Sequence, residues 1–325
     1  GVSSAASDVY KRQALDQAMI DEIVQGYAGA ARRLHQAGLD GVEVVASHGY
    51  LPAQFLNPRV NLRSDGYNGD LDQRLRFLRE VLAAVRAATD EQFIIGLRIS
   101  ADERDSQGLS EDESLAAAVA LQGQLDSLHI VAGTSASLGG AVHIVPPMAI
   151  EPAYLAREAG TFKQQLAIPL FVTGRINQPQ EAELILARGQ ADVCGMTRAL
   201  ICDPSMPGKT ERGQVEDVRA CIACNQACIG HFHRGLPISC IQRPETGREL
   251  QYGHLTPTSS PKRIMVAGGG PAGMKAAAVA AARGHQVTLY EAGPQLGGQV
   301  LLAQLLPRRS AVSYTHLTLP TILLV

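Results

Sequence analysis

Four of the six cysteines fall in residues 221–240, "CIACNQACIGHFHRGLPISC", as Cys221, Cys224, Cys228 and Cys240. Thiols at this density either cross-link or bind metal. Such crowding is unlike the even scatter of a disulfide-stapled secreted scaffold, so the expectation is reduced thiols in a cytoplasmic protein. A structural zinc site usually pairs two short C-x2-C knuckles, whereas here three cysteines lie close together and the fourth returns from a distance. The spacing favours four thiolates holding a 4Fe-4S cluster. Zinc is the alternative, with His231 and His233 as rival ligands. Cys194 and Cys202 read as small buried hydrophobes.

Two further sets of residues have chemical potential. In "PKRIMVAGGGPAGMKAAAVAAARGHQVTLYEAGPQLGGQ", Gly268, Gly270 and Gly273 stand between an apolar strand and an Ala-rich helix, and Glu291 closes the next strand. The glycines let backbone approach a pyrophosphate at the helix N-terminus, and the acid can hold a pair of ribose hydroxyls. The other set lies at strand ends: His48 and Tyr50 in "SHGYL", Arg98 in "GLRIS", His143 in "GGAVHIVPPM", Gly174 and Arg175 in "VTGRI", and Thr197 and Arg198 in "GMTRALICDP". His48 and Tyr50 are candidate proton donors. At Arg198 a guanidinium and the amides opening the next helix could both face a phosphate, and Gly174 with Arg175 offers the same. One strand-end arginine is ordinarily a surface ion pair. Three at one mouth point to function.

The elements that must position these residues alternate. Helical patterns at 17–38, 71–88, 111–122, 152–165 and 179–188 each lead into a short apolar strand: "GVEVVAS", "FIIGLRIS", "SLHIVAG", "PLFVTGRI" and "ADVCGMTR". Five helix-then-strand units predict a parallel sheet with right-handed crossovers. Polar residues at almost every strand end favour an α/β TIM barrel, whose loops share one mouth, over a doubly wound sheet, which concentrates them at one switch point. Five of the eight barrel units are present.

Composition narrows the ligands. With 325 residues, 46% hydrophobic content and a formal charge of -2, the chain has material for about two domains and carries no basic stripe for nucleic acid. No apolar run is long enough to span a bilayer and no signal peptide is evident, so a small-molecule substrate is expected. The two ends read differently. One DNA segment, translated on opposite strands, can encode both "SSAASDVYKRQ" at 3–13 and "AVSYTHLTLPT" at 311–321, and it resembles a transposon adapter from sequencing libraries. Residues 1–13 and 311–325 are therefore expected to be adapter-like scars.

"GLDGVEVVASHGYLPAQFLNPRVNLRSDGYNGDLDQRLRFLREVLAAVR" resembles the middle of the flavin-dependent old yellow enzyme family, in the long branch containing 2,4-dienoyl-CoA reductase and trimethylamine dehydrogenase. "VTGRINQPQEAELILARGQADVCGMTRALICDP" resembles that branch's last two barrel strands, and the cysteine run its cluster site. The resemblance implies the C-terminal part of an FMN-binding barrel, strands 4 to 8, at 14–212. An iron-sulfur segment and linker would follow at 213–260, and the start of a dinucleotide-binding domain at 261–310. It implies Gly174, Arg175, Thr197 and Arg198 at the FMN phosphate and Arg98 near the flavin. It also implies the ADP half of FAD at the glycine fingerprint, with NAD(P)H bound in a domain further along.

In the dienoyl-CoA reductase pattern a tyrosine at the place of Tyr50 protonates carbon, and a carboxylate stands where this chain has His48. Neither the amide partner of old yellow enzyme nor the upstream tyrosine of the trimethylamine pattern is present, since Leu51 and Val45 occupy those places. The expected activity is NAD(P)H-dependent reduction of an activated C=C bond. The alternatives are oxidative N-demethylation with an external electron-transfer partner, and an inactive fragment. Substrate and oligomeric state stay open.

Overall fold

The computed structural model describes residues 14–313, so the expected scar at 1–13, and the one at 311–325 apart from 311–313, lie outside the described residues. Residues 14–144, 155–172 and 189–193 form one compact unit; 145–154, 173–188 and 194–313 form a second.

The first helix, α1 (Gln17–Gln36), starts where Asp16 accepts the Met19 N–H, and it buries Ile20, Val24, Ala28 and Ala31, a single stripe at helical spacing. Strand β1 (Gly41–Ala46) follows. A short helix α2 (Leu51–Leu56) comes directly after Tyr50, with a proline in its first turn. Helix α3 (Leu71–Ala87) opens with a capping box between Asp70 and Gln73 and buries Leu75, Phe77, Leu78, Val81, Leu82 and Val85. Phe55 of α2 stacks on Phe77 with ring centroids 4.3 Å apart, which locks α2, and so the end of β1, onto α3.

Strand β2 (Ile94–Ser100) turns Ile95, Leu97 and Ile99, all fully buried, to one face, while Gly96, Arg98 and Ser100 lie on the other. Helix α4 (Glu111–Leu121) is boxed by Ser110 and Glu113, and β3 (Ser127–Val131) follows. Helix α5 (Ala156–Lys163) is shorter than the expected 152–165, because Ala153 adopts a left-handed φ of 52° that a helix cannot include. Strand β4 (Leu170–Thr173), helix α6 (Pro179–Ala187) and strand β5 (Val193–Gly195) complete the alternation.

The sheet order is β1-β2-β3-β4-β5, with β1 to β4 paired in parallel. A doubly wound sheet reverses its order at a switch point. This one never reverses, which is the progression of a TIM-barrel-like fold.

After β5 come two short helices, α7 (Thr197–Cys202) and α8 (Met206–Glu211), then the cysteine segment with helix α9 (Ile229–His233). Strand β6 (Arg263–Ala267), helix α10 (Pro271–Ala282) and strand β7 (Gln286–Tyr290) form a β-α-β unit with its own parallel pair. Its small core is Met274, Ala277 and Leu289, with Val266, Val287 and Leu296 against them. Among the described residues, no helix is long and apolar enough to cross a membrane.

Candidate active site and cysteine pocket

In the first unit, "SHGY" turns sharply. His48 and Gly49 both take left-handed φ, 59° and 72°. Only glycine fits the second position, since a Cβ there would lie 2.4 Å from Thr134 Oγ1. Left-handed backbone at a histidine carries strain, and the surroundings hold it. The His48 N–H donates to Ser100 Oγ at 3.0 Å, and His48 O accepts from the Ser135 N–H at 2.9 Å.

These anchors fix the chemistry of the ring. His48 Nδ1 lies 3.2 Å from Gly133 O; a carbonyl only accepts, so Nδ1 carries the proton and Nε2 holds a lone pair. Burial pushes the His48 pKa below its usual value, with the charges of Arg98 and His129 adding to the effect, and the Gly133 bond only partly offsets them. The neutral imidazole is therefore favoured. Tyr50 is 52% exposed and meets His48 edge-on, at a centroid distance of 6.2 Å. The two candidate proton donors thus meet as rings, with no hydrogen bond joining them among the described residues.

Arg98 on β2 donates to Glu43 on β1, Nη2 to Oε1 2.6 Å, and Glu43 Oε2 also takes His129 Nδ1 on β3 at 2.8 Å. Neither Glu43 nor His129 was among the residues expected from the sequence, although their alternating positions in "GVEVVA" and "SLHIV" put them on defined strand faces. Burial pushes the Glu43 carboxyl up, and the bonds and charges of His129 and Arg98 together bring it below the usual range. Arg98 Nε and His129 Nε2 are buried without partners. His143 is half-buried, with burial and then the Arg104 charge holding its pKa low.

Glu103 supports the same turn from beneath. It is 2% exposed, and burial pushes its pKa up, while hydrogen bonds from the Leu109 and Gly49 backbone act against that.

In the second unit, Gly174 and Arg175 take positive φ, 142° and 55°, just beyond β4. Arg175 is buried, donates through Nη1 to Met148 O at 3.0 Å, and leaves Nε without a partner. No carboxylate forms an ion pair with it among the described residues. A buried guanidinium without a counter-ion is suited to an anion such as a flavin phosphate. Thr197 is exposed. Arg198 is already engaged, donating Nη1 to Pro146 O and to Asn225 Oδ1, both at 2.7 Å.

Cys221, Cys224, Cys228 and Cys240 line one small pocket with Arg198, Asn225 and apolar neighbours. His231 and His233 are not in its lining, and His231 Nδ1 instead meets Pro237 O at 2.9 Å. Among the described residues, no group of three or more His, Cys, Asp or Glu side chains is arranged to hold a metal ion. Cys202 is buried as expected, yet it is more than filler: its thiol shares a hydrogen bond with Cys240, which raises Cys202 and lowers Cys240 to about 6. No spacing in the sequence signals that pairing.

In the β-α-β unit, Gly268 has φ 106° and a Cβ on Gly273 would lie 2.0 Å from Gly268 O, so both glycines are required for the tight turn. A Cβ on Gly270 would meet open space, the side from which a pyrophosphate could approach. Glu291 takes the Gly269 N–H on Oε2 at 2.6 Å and the Gly293 N–H on Oε1 at 2.8 Å. The carboxylate expected to take ribose hydroxyls thus also braces the glycine loop.

With this geometry in place, the likeness to known proteins is specific. The NADH:flavin oxidoreductase / NADH oxidase family model matches residues 2–217. The chain belongs to that family. A second model, an NAD(P)-binding Rossmann-like domain, matches residues 266–316. Relatives of this NADH:flavin oxidoreductase chain include a metal reductase of Desulforamulus reducens, 42% identical over 93% of the chain and 44% of the relative. An N,N-dimethylglycine/sarcosine dehydrogenase of Chromohalobacter salexigens is 38% identical over 92% of the chain and 44% of the relative. A 2-naphthoyl-CoA reductase bound to 2-naphthoyl-CoA superposes with a TM-score of 0.89 at 31% identity, over 94% of this chain and 46% of that one. The chain thus spans less than half the length of these relatives. The family is that of old yellow enzyme, and its members here include alkene reductases, demethylases and amine dehydrogenases.

Proposed function

We propose that the chain is part of an NAD(P)H-dependent flavin and iron-sulfur oxidoreductase that reduces an activated C=C bond of the dienoyl- or enoyl-thioester type. When bound, FMN supplies hydride, the cluster single-electron transfer and FAD the link to NAD(P)H. The observation that carries the reading is the locked turn that presents the exposed Tyr50 hydroxyl beside a neutral His48. Reduction of C=C needs one hydride and one proton. Tyr50 provides the proton to carbon, and His48 Nε2, whose lone pair accepts a hydrogen bond, orients a donor group at the site. Recognition of a methylated ammonium group would instead favour an aromatic cage. Aromatic residues are only 4% of this chain, and it has no tryptophan.

Arg175, with Gly174, Thr197 and Arg198, is proposed for the flavin phosphate; Arg98 for the flavin ring or ribityl chain; and Gly268, Gly270 and Gly273 for the ADP half of FAD. His143 is proposed to face the substrate. The four pocket cysteines are proposed as the 4Fe-4S ligands. Four cysteines lining one pocket, three close in sequence and the fourth returning from a distance, support the cluster reading.

The test uses the FMN-loaded chain. Reduced anaerobically and mixed with an enoyl- or dienoyl-thioester, it should reoxidise with formation of the saturated bond. If such substrates leave it reduced while dimethylglycine or another methylated amine reduces the oxidised form, the demethylase reading takes its place. Reconstitution with ferrous iron and sulfide should give a broad brown absorbance and, on reduction, an electron-spin signal. Stoichiometric zinc without iron in anaerobically purified protein would defeat the cluster assignment.

A further inference from the structure

Arg198 is built into the cysteine loop. Its Nη1 bonds to Asn225 Oδ1 and to Pro146 O, each 2.7 Å, and Asn225 Nδ2 bonds in turn to Val145 O at 2.8 Å. Asn225 directly follows Cys224 and takes a left-handed φ of 56°, so the loop backbone dictates where its amide points. Asn225 O accepts the Gly230 N–H at 2.9 Å, which carries the same anchor to the start of α9, just beyond Cys228. One guanidinium therefore ties segment 145–146 and the start of α7 to the loop bearing Cys224 and Cys228.

The same guanidinium lines the pocket of the four cysteines, whose other lining residues are apolar or neutral apart from the thiols themselves. A cluster with four thiolates is anionic, and its reduction adds one more negative charge to a confined, weakly polar site. A fixed cation beside it stabilises the reduced form more than the oxidised one.

We propose that Arg198, held by Asn225, is a positioning residue of the cysteine loop and a fixed counter-charge that raises the reduction potential of the cluster. This role is separate from contact with a flavin phosphate. It rests on the iron-sulfur reading above.

The test needs no flavin. The full chain and its R198K, R198Q and N225G variants are reconstituted anaerobically with ferrous iron and sulfide, and iron content and midpoint potential are measured by spin-monitored titration. N225G keeps the left-handed backbone while removing the amide. R198Q should hold iron at a lower midpoint, R198K should restore most of the shift, and N225G should lose iron several-fold faster to a chelator. A wild-type midpoint in R198Q overturns the charge role, and wild-type iron retention in N225G overturns the positioning role. Should R198Q lose its iron entirely, retention in R198K upholds the charge role, and loss in R198K as well overturns it. A wild-type chain that takes up no iron would sink the cluster reading itself, a result visible before any variant is compared.

Discussion

Glu43 bridges two side chains from neighbouring strands, taking Arg98 Nη2 at 2.6 Å on one oxygen and His129 Nδ1 at 2.8 Å on the other. The register makes this possible: Glu43 lies opposite Gly96, while Val45 lies opposite Arg98 and Arg98 opposite His129. Gly96 leaves the space between; a Cβ there would stand 2.9 Å from Ser127 Oγ. Glu43→Ala should leave the Arg98 and His129 donors without their acceptor and lower stability by about 1–2 kcal/mol after solvent screening. Urea unfolding checks it, and an unchanged midpoint would show that the bridge contributes nothing net.

His48 should make stability depend on pH. Its folded pKa is depressed below 6.5, so as pH falls the unfolded chain takes the proton first. Its stabilising contribution is complete above 6.5 and is lost as pH drops from there through the folded value. Thermal unfolding of wild type against His48→Gln between pH 7 and 5 should show a shallower decline in the variant. Parallel curves would mean that His48 titrates as it does when unfolded.

Tyr50→Phe, made in a protein containing the whole family architecture, should slow transfer from reduced flavin to an enone or thioester by about two to four orders of magnitude. Reduction of the flavins by NAD(P)H should be unchanged. Full turnover with such a substrate would remove Tyr50 as the proton donor.

Glu113, in the first turn of α4, is tied to the turn after α2 by two hydrogen bonds from Arg59, and Arg59 Nη2 also reaches Gly108 O. That pairing, against a smaller effect of burial, draws the Glu113 pKa down to about 2. The stability it contributes is present above pH 4.5 and lost as pH falls toward 2. Glu113→Gln should therefore cost about 1–2 kcal/mol at neutral pH, allowing for partial exposure, and nearly nothing near pH 2. Acid titrations of the two proteins that never converge would place the effect elsewhere.

Cys202 and Cys228 separate neighbour from ligand. Cys228→Ala should lower the iron bound on reconstitution, whereas Cys202→Ala should keep full iron with a shifted visible spectrum, since the hydrogen bonds its thiol shares with Cys240 and accepts from Gln242 Nε2 are lost. Loss of iron in both would make Cys202 a ligand.

The helix and strand alternation, the cysteine spacing and the glycine fingerprint were legible in the amino-acid sequence because each depends on neighbours a few residues apart. Caps such as Asp70 with Gln73, the stripe Ile20, Val24, Ala28 and Ala31, and the need for glycine at 268 and 273 are of that kind. The helix expected at 152–165 failed locally, since nothing in its composition announces the left-handed Ala153 that delays it.

Tertiary structure alone decided which distant groups became partners. Periodicity assigns Glu43, Arg98 and His129 to strand faces, but only strand order and register, which come from packing the helices over the sheet, bring one carboxylate to both partners. Packing likewise turned Arg198 toward Asn225, placed Cys202 against Cys240, and put Glu291 under its own glycine loop. A buried polar group must find a partner wherever the folded chain offers one, and the offer comes from residues tens of positions away.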